Sequence, residues 1–296
     1  GWLELMKILL TVHQFFPDYV SGTEVLTFSV ARELIRRGHE VRVLTGALSS
    51  GPLRDDERFD EYEIEGSHVH RFSHAVEPMG GQGVLMELEY SNALVARFFR
   101  SLLASFQPDV VHIFHMSRLG ASIIDVAVGM EVPVYFTPTD FWGVCPTNLM
   151  MLPNGTPCSG PSGAGGNCVK HVASQMQSGW AGAAARAAPN LLANGVVWLA
   201  RQPWLPGKIP FRHEITAVSN RHDYITARLN ALSGIISPTR LMSTTLTRDG
   251  VRPGLIRQHM YGIELARYDT TVRTRTPGKT LTLGFIGGLT PHKGCH

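Results

Sequence analysis

At 296 residues the chain is long enough for one large or two medium domains, and its 44% hydrophobic content lets it bury a real core, which excludes a disordered or fibrous protein. The net charge of +3 comes from basic residues scattered among acidic ones, so no nucleic-acid footprint is present.

The first residues, GWLELMKILLTV, carry a short apolar stretch with Glu4 upstream and no small-residue cleavage site after it, unlike a signal peptide. Met6 reads as a native start. A cytoplasmic location is expected, with Cys145, Cys158, Cys168 and Cys295 reduced.

MKILLTV has the length and continuity of a buried strand. After a loop holding Pro17 and Gly22, Val25, Phe28, Ala31, Leu34 and Ile35 recur at helical spacing until Gly38, and HEVRVLT supplies the next strand. Strand, helix, strand in this order predicts a parallel βαβ unit. Residues 84–106 carry a helical period, VVHIF (110–114) a buried strand, 119–129 a helix and VPVYFT (132–137) another strand. The Ala-rich segment 181–200 is interrupted by Arg186, Pro189 and two asparagines, so a helix pair broken at Pro189 is expected in place of a membrane span. EITAV (214–218) and GIIS (234–237) read as further strands. The expected fold class is α/β, a doubly wound, mainly parallel, Rossmann-like sheet over residues 6–262. Polar residues 263–280 form a linker, and 281–296 open a second strand, turn and helix entry.

Ligands of such sheets lie beyond the carboxyl ends of the strands, which singles out loops starting near His13, His112, Thr137 and Ser219. In the first loop, Ser21, Gly22 and Thr23 precede a helix whose free N–H groups suit a phosphate; the same residues serve equally as an ordinary cap and turn. His112 and His115 could bond a substrate hydroxyl or move a proton, or simply satisfy nearby backbone groups. Asp140 could bind sugar hydroxyls beside Phe141 and Trp142, or cap a turn. Cys145, Cys158, Cys168 and His171 have the spacing CX12CX9CX2H, a donor set that suits a structural zinc pinning a Gly- and Pro-rich loop; isolated thiols are the alternative.

FFPDYVSGTEVLTFSVARELIRRGHEVRVLT, PDVVHIFH, TPTDFWGVCPTNLMMLPNGTPC, ISPTRLMSTTLTRDGV, YGIEL and GFIGGLTPHKG follow one another along nearly the whole chain. In that order they resemble the N-terminal, acceptor-side half of a retaining GT-B glycosyltransferase of family 4. The resemblance implies transfer of a sugar from a nucleoside diphosphate sugar to a saccharide or lipid-linked acceptor, without a catalytic metal. It also implies a chain that stops at the start of its donor-binding domain and is inactive alone. Gly22 and Thr23 would approach the donor phosphate, and Gly287, Gly288 and Lys293 would belong to the donor side. His112, His115 and Asp140 would serve the acceptor side. Three positions depart from many relatives: Ser21 stands where a second glycine is common, Gly288 where arginine is common, and Thr139 where histidine is common. Lipid-linked acceptors in relatives make peripheral membrane contact through 181–205 an expectation, with packing against another domain as the alternative. A non-catalytic module binding an acceptor or partner is the second functional reading. A nicotinamide-dependent dehydrogenase is disfavoured, because the first loop lacks GxGxxG.

Overall fold

Ile8, Leu9, Leu10 and Val12 are buried on both faces of the strand they form, as a continuous apolar run in a parallel sheet requires. The computed structural model describes residues 5–152, 154–177, 179–204, 210–263, 280, 283–287, 289–290 and 293–294. Its strands are β1 (Lys7–Val12), β2 (Glu40–Leu48), β3 (Phe59–Ile64), β4 (Ser67–His74), β5 (Val110–Ile113), β6 (Val134–Phe136), β7 (Gly234–Ser237) and β8 (Ile256–Gln258). They form one sheet in the order β3-β4-β2-β1-β5-β6-β7-β8, parallel except for the β3–β4 hairpin at one edge. The chain runs outward from β1 through β2, then returns to β1's other side as β5, so the switch point of this Rossmann-like sheet lies between β1 and β5.

The helices are α1 (Gly22–Arg36), α2 (Leu85–Leu88), α3 (Ala93–Phe106), α4 (Ser122–Gly129), α5 (Gly166–Met176), α6 (Gly179–Ala187), α7 (Asn190–Ala200), α8 (Arg212–Leu229) and α9 (Arg240–Arg248). Alternation along the strands divides the core in two. Leu10, Val12, Val43, Val69 and Phe114 pack with Phe28 and Ala31 of α1, whereas Leu9, Leu44, Phe72, Ile113 and Phe136 pack with α3, α4 and α8 on the other face. The expected helix over 84–106 is divided, because Asn92 caps α3 by accepting from the Leu94 and Val95 N–H groups at 3.1 Å.

EITAV is not a strand. It lies in α8, where Ala217, Val218, Arg221, Ile225 and Leu229 are buried at helical spacing, and this period overrides the β-branched composition. Ser219 is consequently a mid-helix residue and opens no site loop. The β3–β4 hairpin was not expected. The break at Pro189 is present, since α6 ends at Ala187 and α7 starts at Asn190. This helix pair leaves Trp180, Leu191, Leu192, Trp198 and the following Trp204 exposed. Among the described residues no helix is long and apolar enough to cross a membrane.

Most of the expected linker, together with Gly288 and Cys295, lies outside the described residues. Leu283, Phe285 and Ile286, expected as a buried strand, are exposed and belong to no strand. Such a strand needs a paired neighbour to be stable.

Candidate functional site

Four segments meet beyond the carboxyl ends of β1, β5 and β6. β1 delivers His13, β5 delivers His115, the loop after β6 delivers Thr139 and Asp140, and the first turn of α1 delivers Thr23 and Glu24. The sequence dictates this convergence: short apolar strands end together at one edge of the sheet, and polar residues occupy the first positions past each end.

The His115 and His13 rings lie 4.1 Å apart between centroids. His115 Nδ1 accepts from the Ser117 N–H at 3.1 Å, so the other ring nitrogen carries the proton and donates to Asp140 Oδ2 at 3.0 Å. Asp140 Oδ1 accepts from the Trp142 N–H at 2.8 Å. Burial alone would raise the Asp140 pKa, but the His115 hydrogen bond, the Trp142 N–H and the neighbouring imidazoles together hold it below the usual carboxylate range. Asp140 is therefore an anion with both oxygens oriented. The turn-cap reading is realised, and its side chain keeps 36% of its surface exposed.

Glu24 is 1% exposed, and neither of its carboxylate oxygens has a hydrogen-bond partner. His13 Nε2 approaches it at 3.6 Å. Burial first, then the neighbouring His115 ring and the Arg118 cation, lower the His13 pKa to about 3 against the pull of Asp140. The His13 ring is thus neutral near pH 7, and its approach to Glu24 is not an ion pair. A buried carboxylate without donors is costly, and hydroxyl groups of a ligand would supply what it lacks. Arg118 has φ 66 and directs Nη1 toward the His13 carbonyl at 3.4 Å, with its guanidinium 5.3 Å from the Tyr19 ring centroid. Gly46 permits this packing, since a Cβ there would stand 2.9 Å from the His13 carbonyl oxygen and 3.0 Å from Arg118 Cβ. Tyr261, from the YGIEL segment, donates to the Pro138 carbonyl at 2.6 Å; burial and then Asp140 push its pKa up to about 12.

The sequence candidates are distributed unevenly. His115 and Asp140 form a pair, whereas His112 pairs separately, its Nε2 2.7 Å from Thr137 Oγ1 and its ring stacked on Phe114. Thr23 donates to Thr139 Oγ1 at 2.9 Å, which ties the start of α1 to the loop after β6. Ser21 makes no side-chain cap, so the first turn of α1 keeps N–H groups free of a side-chain acceptor from Ser21, and a Cβ at Gly22 would meet nothing. Gly287 and Lys293 lie in exposed segments without side-chain partners to the switch point among the described residues. Glu24 and Arg118 are not singled out from the sequence, where His13 marks only a loop start and Tyr261 only falls within YGIEL. Glu24 carried a signal, because it falls on the buried stripe Glu24, Thr27, Phe28, Ala31 of α1, where an unpaired charge is unexpected.

The cysteine loop is assembled in part. Cys168 is pushed up to about 12 by burial and then by the neighbouring Cys145 and Cys158, so the three thiols are close enough to influence one another. At least one pair of the sulfurs stands farther apart than 4.8 Å, because among the described residues Glu61, His68 and His70 are the only His, Cys, Asp or Glu set whose donor atoms all lie that close. His171 instead lies 3.3 Å from Gln175 Nε2 and lines a cleft with Lys170 and Arg186.

His112 makes stability depend on pH. Burial lowers its folded pKa to about 4 from an ordinary 6.5, so between those values the unfolded chain binds more protons than the folded one. Stability is therefore full above pH 6.5 and falls as pH drops through this window, by up to about 1.4 kcal/mol per pH unit from this residue. His13 acts in the same direction. Urea denaturation at pH 8, 6 and 5 checks this, and His112→Gln should flatten the curve; an unchanged slope would remove His112 as its source.

Residues 21–163 match the family model described as a glycosyl transferase 4-like domain. No curated protein sequence matches the chain. Solved structures similar to it include an E. coli structure named for trehalose-6-phosphate and bound with UDP-2-fluoro glucose, at 9% identity and a TM-score of 0.40, covering 88% of this chain and 50% of that one. Others are the UDP-GlcNAc 2-epimerase of Methanocaldococcus jannaschii, at 9% identity and 0.38, covering 86% and 45%, and the alpha,alpha-trehalose 6-phosphate synthase of Burkholderia multivorans, at 9% identity and 0.37, covering 82% and 41%. The chain spans half or less of the length of these structures. The matched segment contains Glu24, His115 and Asp140, and over these residues the chain is similar to a glycosyl transferase 4-like domain.

Proposed function

We propose that the switch-point site is the acceptor side of a retaining glycosyltransferase that moves a sugar from a nucleoside diphosphate sugar to a hydroxyl of a saccharide or lipid-linked acceptor. The observation that carries this reading is the buried Glu24 carboxylate with two unsatisfied oxygens, beside the oriented Asp140 anion and the neutral His13. Sugar hydroxyls are donors of the kind these acceptors lack. Uncapped N–H groups at the start of α1, with open space over Gly22, and the Arg118 cation on the His13 carbonyl at the end of β1 suit the donor phosphates.

In such a transfer the bond from the anomeric carbon to the diphosphate oxygen breaks as the bond to the acceptor oxygen forms on the same face. The acceptor proton passes to the departing phosphate. The protein's part is to position the hydroxyl and neutralise the leaving group, a task for Asp140, Glu24 and Arg118 that needs no catalytic metal. A structural zinc on Cys145, Cys158 and Cys168 would pin the loop that follows Asp140; the three thiols lie close enough to influence one another, ligation would draw at least one pair closer, and His171 stands beside Gln175. The exposed Trp180, Leu191 and Trp198 favour an acceptor presented at a membrane surface.

A second reading, an acceptor-binding module without turnover, is favoured by the exposed Lys293 and by the lack of any strand over 283–287. Binding of UDP- and GDP-sugars, and of simple glycosides free or on vesicles, separates the two. Asp140→Asn should weaken glycoside binding about 10-fold through loss of a charged acceptor. Gly22→Leu should weaken donor binding while leaving the melting temperature unchanged. Glycoside binding without sugar transfer selects the module; absence of glycoside binding by the unaltered chain removes the acceptor assignment.

A further inference from the structure

The edge hairpin reads Glu61-Tyr62-Glu63-Ile64, then Glu65-Gly66, then Ser67-His68-Val69-His70. Both turn residues have positive φ, 45 and 82, the geometry of a tight two-residue hairpin turn. This turn fixes the register at Glu61 opposite His70 and Glu63 opposite His68. Because side chains alternate along a strand, all four share one face.

Their contacts are specific. His70 Nδ1 lies 2.8 Å from Glu61 Oε1, and His68 Nε2 lies 3.0 Å from Glu61 Oε2. The other nitrogen of His68, Nδ1, lies 2.6 Å from Glu63 Oε1. A neutral imidazole has a single ring proton, yet carboxylate oxygens face both nitrogens of His68. Either the ring is an imidazolium or a cation replaces the proton on one side. His70 is 4% exposed, and its Nε2 is buried without a partner, so its ring is held by packing with Nδ1 directed to Glu61.

We propose that Glu61, His68 and His70 bind a divalent transition metal of the zinc type, with Glu63 orienting His68 through its other ring nitrogen. One donor atom from each of the three residues already lies within 4.8 Å of the others. Ligands around a tetrahedral zinc stand about 3.3 Å apart, so the present 2.8 and 3.0 Å separations need to open by only a few tenths of an ångström. A carboxylate on the distal nitrogen of a ligating histidine fixes its tautomer, which is the part Glu63 plays. Two imidazoles and one carboxylate are borderline donors that suit zinc or nickel and do not suit magnesium or calcium.

The position indicates the role. His68 stands at the beginning of β4, whereas the switch-point site lies past the opposite, carboxyl ends of the strands. The metal therefore takes no part in sugar transfer and instead joins the outermost strand β3 to β4, which fastens an edge otherwise held on one side only.

Calorimetric titration of the metal-stripped chain with Zn2+ tests this, with Glu61→Gln, His68→Ala, Glu63→Gln and Cys158→Ser run in parallel and folding checked by circular dichroism. His68 and Glu61 are solvent-accessible, so their replacement leaves the core intact. One zinc equivalent should persist in Cys158→Ser, and in that background it should weaken roughly 100-fold or more on adding Glu61→Gln or His68→Ala and about 10-fold on adding Glu63→Gln. Zinc should raise the melting temperature of Cys158→Ser, but not of the double variant Cys158→Ser/His68→Ala, in which the cysteine loop cannot contribute. Wild-type stoichiometry and affinity in both Glu61→Gln and His68→Ala, or zinc binding abolished by Cys158→Ser alone, would overturn the assignment.

Discussion

Arg221→Ala is expected to lower the unfolding free energy by about 3 kcal/mol, the lower end of the cost of breaking a buried ion pair from one side. The Arg221 side chain is 4% exposed. Its Nε donates to Glu89 Oε2 at 2.8 Å, a terminal nitrogen donates to the Trp142 carbonyl at 2.8 Å, and the guanidinium lies 4.7 Å from the Trp142 ring centroid. The Trp142 indole N–H completes the triangle by donating to Glu89. Alanine would leave the Trp142 carbonyl without this donor and Glu89 without its cation. Because Glu89 keeps 33% exposure, water recovers part of the loss. The consequence reaches the site, since Asp140 is oriented by the Trp142 N–H two residues along. Glycoside binding should therefore weaken along with stability. The double variant Arg221→Met/Glu89→Gln removes both charges, and its smaller penalty would identify the pair as coupled. A loss below about 0.5 kcal/mol for Arg221→Ala, the scale of an ordinary surface substitution, would show that the triangle does not hold the loop.

The central fold was legible because β1, α1 and β2 state their periods plainly: Ile8 to Val12 is a continuous apolar run, and Phe28 and Ala31 recur on one helical face. The β3–β4 edge was missed because its polar face hides the apolar one. Phe59-Asp60-Glu61-Tyr62-Glu63-Ile64 looks acidic until alternate residues are separated, and then the Glu65-Gly66 turn and the facing His68 and His70 become visible. EITAV failed for the opposite reason, since local β-propensity was read without the longer period that continues to Arg221, Ile225 and Leu229. In the site, strand ends were enough to nominate His115 and Asp140. His112 was nominated by the same rule, but it precedes the strand end and faces Thr137 instead. No sequence rule shows which residues of a loop will converge. Glu24 could have been found, because a carboxylate on the inward stripe of an amphipathic helix is either paired or waiting for a ligand.

Glu24→Gln should stabilise the unliganded chain by about 1–2 kcal/mol while weakening its hold on hydroxyl ligands. The carboxylate is 1% exposed, receives no hydrogen bond from the protein at either oxygen, and has the neutral His13 ring 3.6 Å away. The folded state thus carries an uncompensated acceptor that water would satisfy in the unfolded chain. Glutamine keeps the shape, removes the charge and adds an N–H that can donate to His13. Glu24→Met removes hydrogen bonding as well and should stabilise similarly. Ligand binding should respond in the opposite direction: hydrogen bonds to a charged group contribute about 1.5–3 kcal/mol each, so losing one should weaken binding by 10-fold or more. Urea denaturation and glycoside titration on the same samples read the two effects separately. A Glu24→Gln chain that is less stable would make Glu24 a structural residue, held by donors from the fold. A chain that is more stable yet binds glycosides as before would leave the buried carboxylate without a ligand, and the acceptor would have to sit elsewhere along the sheet edge. Opposite signs in the two measurements are what a site predicts when its stability is given up to keep an acceptor ready.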